Sequence, residues 1–413
     1  MKNLMLLLAF SASAMAWCAP EVSILGVSVD QVRRTTTVRY SLSETAVVTF
    51  DVQTNGVSIG GAQLRGTVGD VNRKIAAGER TAVWCWPKGA DGVALSANAA
   101  TVVTAWPLDH LPDFIVCDLC ANKGFFFYAD AESIPGGIGD RRYKTDYLVI
   151  RRIPAKGVVW KMGSSQSGIY AETQHLVTFT NDYYMAVYET TQRQFERIMG
   201  IQSEDSQHFV LSATNAPALP MDGLKHWQNL RGASGFSWNP PDDAKRGGRA
   251  DLPLGMLSSK TGFTFDIPTD AEWEYACRAG EGAERYDGTD DASTLENLAW
   301  GASNSGGKIH EVGLKAPNRW GLYDMYGNVG EWCLDHWTTN LCSLAGNIAT
   351  NPPGPAFADK GAAGNTQYNR VLRGGNVSSA ADVFRSAARR PQWITTTPFT
   401  GFRVVALNVK LEE

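Results

Sequence analysis

From about Glu21 to Trp106, apolar and polar residues are interleaved in short runs with the texture of β-strands. Thr37-Val38-Arg39-Tyr40-Ser41-Leu42 and Ala46-Val47-Val48-Thr49-Phe50-Asp51-Val52 are rich in β-branched and aromatic residues, and Asn55-Gly56 and Gly60-Gly61 bound them as turns. Thr81 to Trp86 and Ala100 to Ala105 continue the series at the spacing of an all-β immunoglobulin- or fibronectin-like sandwich over 17–110. Over 111–147, Phe125-Phe126-Phe127-Tyr128 followed by Pro135-Gly136-Gly137 predicts an edge strand and then a linker.

Beyond Leu148 the texture changes, and two short helices are punctuated clearly. Thr191 and Gln194 stand in capping-box register before Phe195, Ile198 and Met199, with Gly200 as the stop. In Pro268 to Gly280, Thr269 and Glu272 form a second capping box, acids occupy the positive end of the helix dipole, and Gly280 is the expected terminator. Glycine-, proline- and asparagine-rich loops dominate the rest, so 148–413 reads as a second, loop-rich α+β domain.

The extreme N-terminus carries a separate message. Lys2, the apolar run Leu4 to Phe10 and the small-x-small triplet Ala14-Met15-Ala16 predict a signal peptide over 1–16 and hence an exported, periplasmic, cell-surface or secreted protein. The run is shorter than the ~20 residues that cross a bilayer, and no later segment reaches that length. A net charge of −4 lacks the basic surplus that follows a phosphate backbone, which argues against nucleic acid as a partner. The sequence has 413 residues, 41 of them glycine and 13 tryptophan, which fits two or three domains packed largely by aromatics rather than a helical bundle.

Four segments, in order, resemble the sulfatase-modifying factor family, whose founding enzymes oxidise a sulfatase cysteine to formylglycine. They are Trp160 to Ser164 with Tyr183 to Phe195; the helix Ile267 to Gly280; Asn318 to Trp332; and Arg370 to Ser379 with its distant partner Thr400 to Val405. The resemblance implies a formylglycine-generating-enzyme fold, a variant of the C-type lectin architecture with little regular structure. It also implies a structural Ca²⁺ at the Gly-rich turn. Asp324, at a position where the family often has Asn, and Glu331 would give carboxylates there, and Gly327 and Val329 would give carbonyls. An oxygen-only set of this kind suits a hard cation. A second calcium of the family starts in a segment like Glu296-Asn297-Leu298, but the loop that follows is short and offers no aspartate that can be placed.

The chemistry of the family is missing. Its aerobic oxidases bind copper(I) with a thiol pair placed after the Arg-Gly-Gly segment, a soft ion on soft ligands. Ser379 stands where the first of those cysteines would be, and no cysteine follows Cys342, so copper is not expected. Cys277 matches a cysteine that vertebrate-type enzymes bridge to a position occupied by Ser386. Cys333 and Cys342 are close enough in sequence to pair, and Cys117-x-x-Cys120 reads as a local disulfide or two thiols rather than half a zinc site. The six histidines are scattered, no nucleophile has an evident base, and no catalytic residue is assigned.

The expected function is therefore a non-catalytic binding or structural module. The loop Asn376 to Thr400 would be its surface, with Asn376, Ser378, Ser379, Arg385, Arg389 and Trp393 facing a glycan, a peptide or a cell-envelope protein. Arg385 and Arg389 are equally suited to lie buried against carboxylates. The alternative is a formylglycine-generating or other metal-dependent oxidoreductase acting on a protein cysteine or small thiol, and a third reading is display of a diversified loop.

Overall fold

The computed structural model describes residues 20–88, 98–122, 124–164, 172–200, 216–222, 228–231, 246–280, 282, 294–339, 348–352, 369–393 and 398–411. The expected signal peptide, Cys18 and Cys342 lie outside them. The described chain is mostly β-sheet with few helices and divides into two units. One comprises 1–117, 124–143 and 409–413, and the other 118–123 and 144–408. Residues 111–147 are divided between these two units.

In the first unit, strands β1 (Val22–Asp30), β2 (Thr35–Leu42), β7 (Gly78–Cys85) and β5 (Thr67–Gly69) form one sheet. A second is built on β3 (Ala46–Thr54), which pairs β4 (Val57–Ser58), β6 (Arg73–Ile75) and β8 (Ala99–Trp106). Every second residue of β2 turns inward, so Val38, Tyr40 and Leu42 share one core with Val48, Phe50 and Val52 of β3 and Trp84 of β7. Asn55 and Gly56, both at positive φ, make the tight turn from β3 to β4. Phe125 to Tyr128 falls in β10 (Gly124–Tyr128), paired with β9 (Phe114–Asp118).

The second unit contains three sheets. β11 (Tyr147–Ile153), β14 (Tyr183–Ala186), β21 (Val405–Leu407) and β15 (Thr264–Asp266) follow one another in the first. β12 (Val159–Met162), β13 (His175–Thr178) and β17 (Ala349–Thr350) form the second. The third runs β19 (Arg390–Trp393), β18 (Asn369–Arg373), β16 (Gly330–His336), β20 (Thr400–Gly401).

Helix α1 (Gln192–Met199) has the full Thr191/Gln194 capping box and ends on left-handed Gly200. Helix α2 (Pro253–Thr261) was not foreseen. It starts on a proline at its first turn and stops at left-handed Gly262, which are the usual start and stop residues. Helix α3 (Asp270–Arg278) has the Thr269/Glu272 box, but its left-handed cap is Ala279 and not the expected Gly280, which follows it, also at positive φ. All nine residues of α3 are buried, and Trp273, Ala276 and Cys277 join Leu322, Met325, Tyr326 and Val371 in the core.

Candidate functional site

Strand β16 is buried along its whole length, and its alternate residues Glu331, Cys333 and Asp335 carry a carboxylate, a thiol and a carboxylate. Glu331 accepts the Trp273 indole N–H at 2.7 Å and is gripped by the Arg403 guanidinium at 2.7 to 3.1 Å. Asp335 accepts the backbone N–H of Asp270 at 2.6 Å, at the first turn of α3. Burial, and then the negative charge of Asp270, push the Asp335 carboxyl up to about 7.

One turn along α3, Asp270 and Glu274 occupy the same face. Arg373, ending β18, spans both, at 2.5 Å from Asp270 and 2.9 Å from Glu274. Its remaining N–H groups go to the carbonyls of Ser386 and Ala388. Arg389 closes on Asp270 at 2.6 Å with its guanidinium over the Trp337 ring, and Arg278 takes Glu274 at 2.9 Å. The Arg-Gly-Gly segment, the α3 helix and the Ala-Ala-Arg segment are therefore tied at one buried carboxylate. Burying so much charge is tolerable only because nearly every donor and acceptor is satisfied.

The Gly-rich turn is held from three sides. A Cβ on Gly327 would run into the Trp300 carbonyl, and the Gly327 N–H donates to Gly374 at 2.9 Å. Val329 donates its N–H to Glu189 at 3.1 Å, and the Asn328 amide donates to Glu189 at 2.7 Å and to the His310 carbonyl at 3.1 Å. Asp324 has φ 55° and is buried. One of its oxygens accepts the Gly313 N–H at 2.6 Å, and the other, Oδ1, has no hydrogen-bond partner.

Burial raises Glu189 well above the carboxylate range, and the charges of Asp324 and Glu331 raise it further. Burial likewise raises Asp324, to about 6. Three acids thus crowd one guanidinium, Arg403. Among the described residues no three His, Cys, Asp or Glu side chains converge as a metal cage, so an ion at this turn would depend on main-chain carbonyls beside Asp324.

With this geometry in hand, comparison with known proteins gives a family. The model of the sulfatase-modifying factor enzyme 1-like domain matches residues 151–407. The chain belongs to this sulfatase-modifying factor family. It is 30% identical over 205 residues to a formylglycine-generating enzyme of Streptomyces coelicolor, covering 44% of this chain and 61% of that one. It is 27% identical over 310 residues to one of Thermomonospora curvata, covering 63% of this chain and 98% of that one. It also matches a serine/threonine-protein kinase pkn1 of Chlamydia pneumoniae at 35% over 123 residues, 30% of this chain and 18% of the kinase. The match therefore spans less than two thirds of the length of the Streptomyces enzyme and of the Chlamydia kinase. Among solved structures, PvdO from Pseudomonas aeruginosa aligns with a TM-score of 0.45 at 21% identity, covering 64% of this chain and 94% of PvdO.

Within the family frame, the expected recognition surface divides. Ser378 is exposed and Asn376 half-buried, its Oδ1 accepting the Ser378 N–H at 3.0 Å. Ser379 is buried, and its Oγ accepts the Asn376 N–H at 3.0 Å, closing the turn on itself. Arg389 is buried in the ion network above, and Arg385 is held in both arms by Glu172 at 2.7 and 2.8 Å. Ser379 is therefore corrected from surface to interior, and of the two places expected for Arg389 it takes the buried one against a carboxylate. The Arg389 charge is buried because Asp270, far along the chain, pairs with it, whereas Ser379 is satisfied within its own turn. Trp393 ends β19, and its side chain lies outside the described residues.

At the Ser379 turn there is an aromatic ring rather than sulfur. Phe384 and Val383 pack against Gly375 beside the Ser379 hydroxyl. Cys277 and Cys333 are both free and buried in the core, and burial raises their thiols, Cys277 to about 12 and Cys333 well above its ordinary range. Such thiols are poor nucleophiles and poor metal ligands. Cys117 and Cys120 are likewise free thiols.

Glu189, Arg403, Asp270 and Asp335 were not singled out from sequence. A signal was present for two of them. Glu189 closes the apolar run Tyr183 to Tyr188, and Arg403 sits between Phe402 and Val404, where an isolated charge must be buried and paired.

Proposed function

We propose that this chain is an exported, non-catalytic binding or structural module on the sulfatase-modifying factor scaffold. The observation that supports it best is Ser379: a buried hydroxyl engaged in its own turn, beside Phe384, at the position where the family's copper-binding cysteine would stand. A hydroxyl is a hard ligand unsuited to copper(I). The two arginines that could have served a reactive groove, Arg385 and Arg389, are committed to Glu172 and Asp270.

The first unit is read as an immunoglobulin- or fibronectin-like sandwich carrying the module, which itself has the lectin-like architecture of the family. The partner is a glycan, a peptide or a cell-envelope protein, met by the exposed part of the 376–393 stretch around Ser378 and Asn376. No helix among the described residues is long and apolar enough to cross a membrane.

Calcium is the proposed ion at the Gly-rich turn, where it would hold the loop and supply no redox chemistry. Asp324 Oδ1, buried and unpartnered, fits a hard cation. Gly327 and Val329 would add carbonyls, and Glu331 would share a carboxylate already bound by Arg403.

The second reading, an oxidase with unexpected ligands, draws on the relatives named formylglycine-generating enzyme. One experiment separates the two. Metal content of the purified protein is measured together with oxygen consumption on a cysteine-containing sulfatase peptide. Calcium without copper or iron, and no aldehyde, is expected; conversion of the peptide cysteine in air would overturn the proposal. Calorimetry against a glycan and envelope-fragment panel then tests binding, and a flat response across the panel counts against it.

A further inference from the structure

We infer that Lys315 serves this domain as a built-in cation: its ammonium closes the 296–316 loop where the family resemblance implies a second calcium ion. The inference is independent of the ion proposed at Asp324.

The carbonyls of Glu296, Asn297, Ala299 and Trp300 in that loop are already met by N–H donors. Lys315 Nζ donates to the Glu296 carbonyl. The Asn304 amide donates to the same carbonyl at 3.4 Å and to Ala299 at 2.9 Å, while its Oδ1 accepts the Gly301 N–H at 2.9 Å. Asn297 gives its carbonyl to the N–H of Ala316 at 3.1 Å. The Glu296 and Asn297 residues themselves are exposed. Calcium takes six to eight oxygens, and the inward-facing oxygens named here are already engaged by N–H donors, one of them by an ammonium.

The ammonium is also seated as a bound cation would be. It lies 3.9 Å from the centroid of the Trp300 ring, close enough for a strong cation–π contact. The His310 ring stacks on the same indole at 3.7 Å and 12°. Burial works against the charge of Lys315, and the carboxylates of Glu296 and Asp324 work in its favour. Trp300 in turn gives its carbonyl to the Asn328 N–H at 2.9 Å, so the lysine braces the Gly-rich turn through one tryptophan. A calcium ion entering the loop would have to expel Lys315 against like-charge repulsion.

The test uses the full chain. Lys315→Met keeps the stem and removes the ammonium, and thermal melting is read in CaCl₂ and in EDTA, in the wild type and in an Asp324→Ala background, which leaves no side-chain oxygen at that position. The inference expects Asp324→Ala to melt at the same temperature in both conditions, and Lys315→Met to lower melting by several degrees in either. A calcium-dependent rise that persists in Asp324→Ala would show a second site despite Lys315. Equal melting of Lys315→Met and its parent would show that the ammonium braces nothing. Either result overturns the inference. Should Asp324→Ala fail to fold, calorimetric stoichiometry on the wild type decides: two calcium ions per chain refute it, and one or none agrees. Failure of the Asp324 calcium reading shows separately, as a wild type indifferent to EDTA.

Discussion

Arg373 reaches Asp270 at 2.5 Å in a position where neither side chain is exposed to solvent, and Arg389 reaches the same carboxylate at 2.6 Å. Removing one partner of such a pair leaves an uncompensated buried charge, which costs about 3–5 kcal/mol. Arg373→Ala and Arg389→Ala are each expected to lose stability on that scale in urea unfolding of the purified protein. Arg385→Ala, whose pair with Glu172 is partly solvated, should lose less. Equal losses at all three would show that burial does not set the ranking.

Stability should fall as pH rises from about 4 to 7 because buried carboxyls hold protons there in the folded chain, Glu189 among them and with it Asp335. The folded-state carboxyl of Asp335 is raised to about 7 from an ordinary 3.8, chiefly by burial. Between those two values the folded chain holds a proton that the unfolded chain releases, so raising the pH favours unfolding. Asp324, raised to about 6, adds the same sign over a narrower window. Asp270 has the opposite sign: its arginines outweigh burial and hold it below the ordinary range, and that stability is lost only at acid pH below it. Asp335→Asn keeps an acceptor for the Asp270 N–H and is expected to flatten the decline between pH 4 and 7, read as the denaturation midpoint against pH. An unchanged slope would assign the effect elsewhere.

Much of this fold was legible because its signals are local. Thr191 with Gln194 and Thr269 with Glu272 place helix starts through bonds made within four residues, and both boxes are present. The strand runs of 37–42 and 46–52 fall inside β2 and β3 for the same reason. The site was less legible because its partners are distant in sequence. Asp270 and Arg389 are polar residues in polar surroundings of sequence, and nothing local distinguishes a solvated arginine from one bound at 2.6 Å to a helix 119 residues away. Ser379 is hard to read for a different reason, since a hydroxyl that caps its own turn looks like any exposed loop serine.

Calcium removal offers a direct check on Asp324. If an ion completes the coordination of the unpartnered Oδ1, EDTA should lower the melting temperature of the wild type, and re-added calcium should restore it. Mass action sets the scale, about 2.7 kcal/mol when free calcium is a hundredfold above its dissociation constant. Asp324→Ala, with no side-chain oxygen left at the turn, should melt alike in both conditions. Magnesium at the same concentration is expected to do less, because it demands a stricter octahedron and sheds water reluctantly.

Ser379 allows the proposed absence of oxidase chemistry to be tested from the side of structure. Its Oγ holds the Asn376 N–H at 3.0 Å, while Phe384 and Val383 fill the space against Gly375. Ser379→Ala removes one hydrogen bond in a buried turn and is expected to cost roughly 1 kcal/mol, the usual net worth of such a bond. Ser379→Cys places a thiol at the family's position, but no cysteine follows Cys342 in the sequence to complete the pair. Copper(I) added to the purified Ser379→Cys protein should therefore give no stoichiometric thiolate–copper absorption and no oxygen uptake with a cysteine peptide. If one substituted sulfur sufficed to bind copper and turn over, the groove would have kept the rest of an oxidase, and the reading of this domain as a binding scaffold would fail at its root.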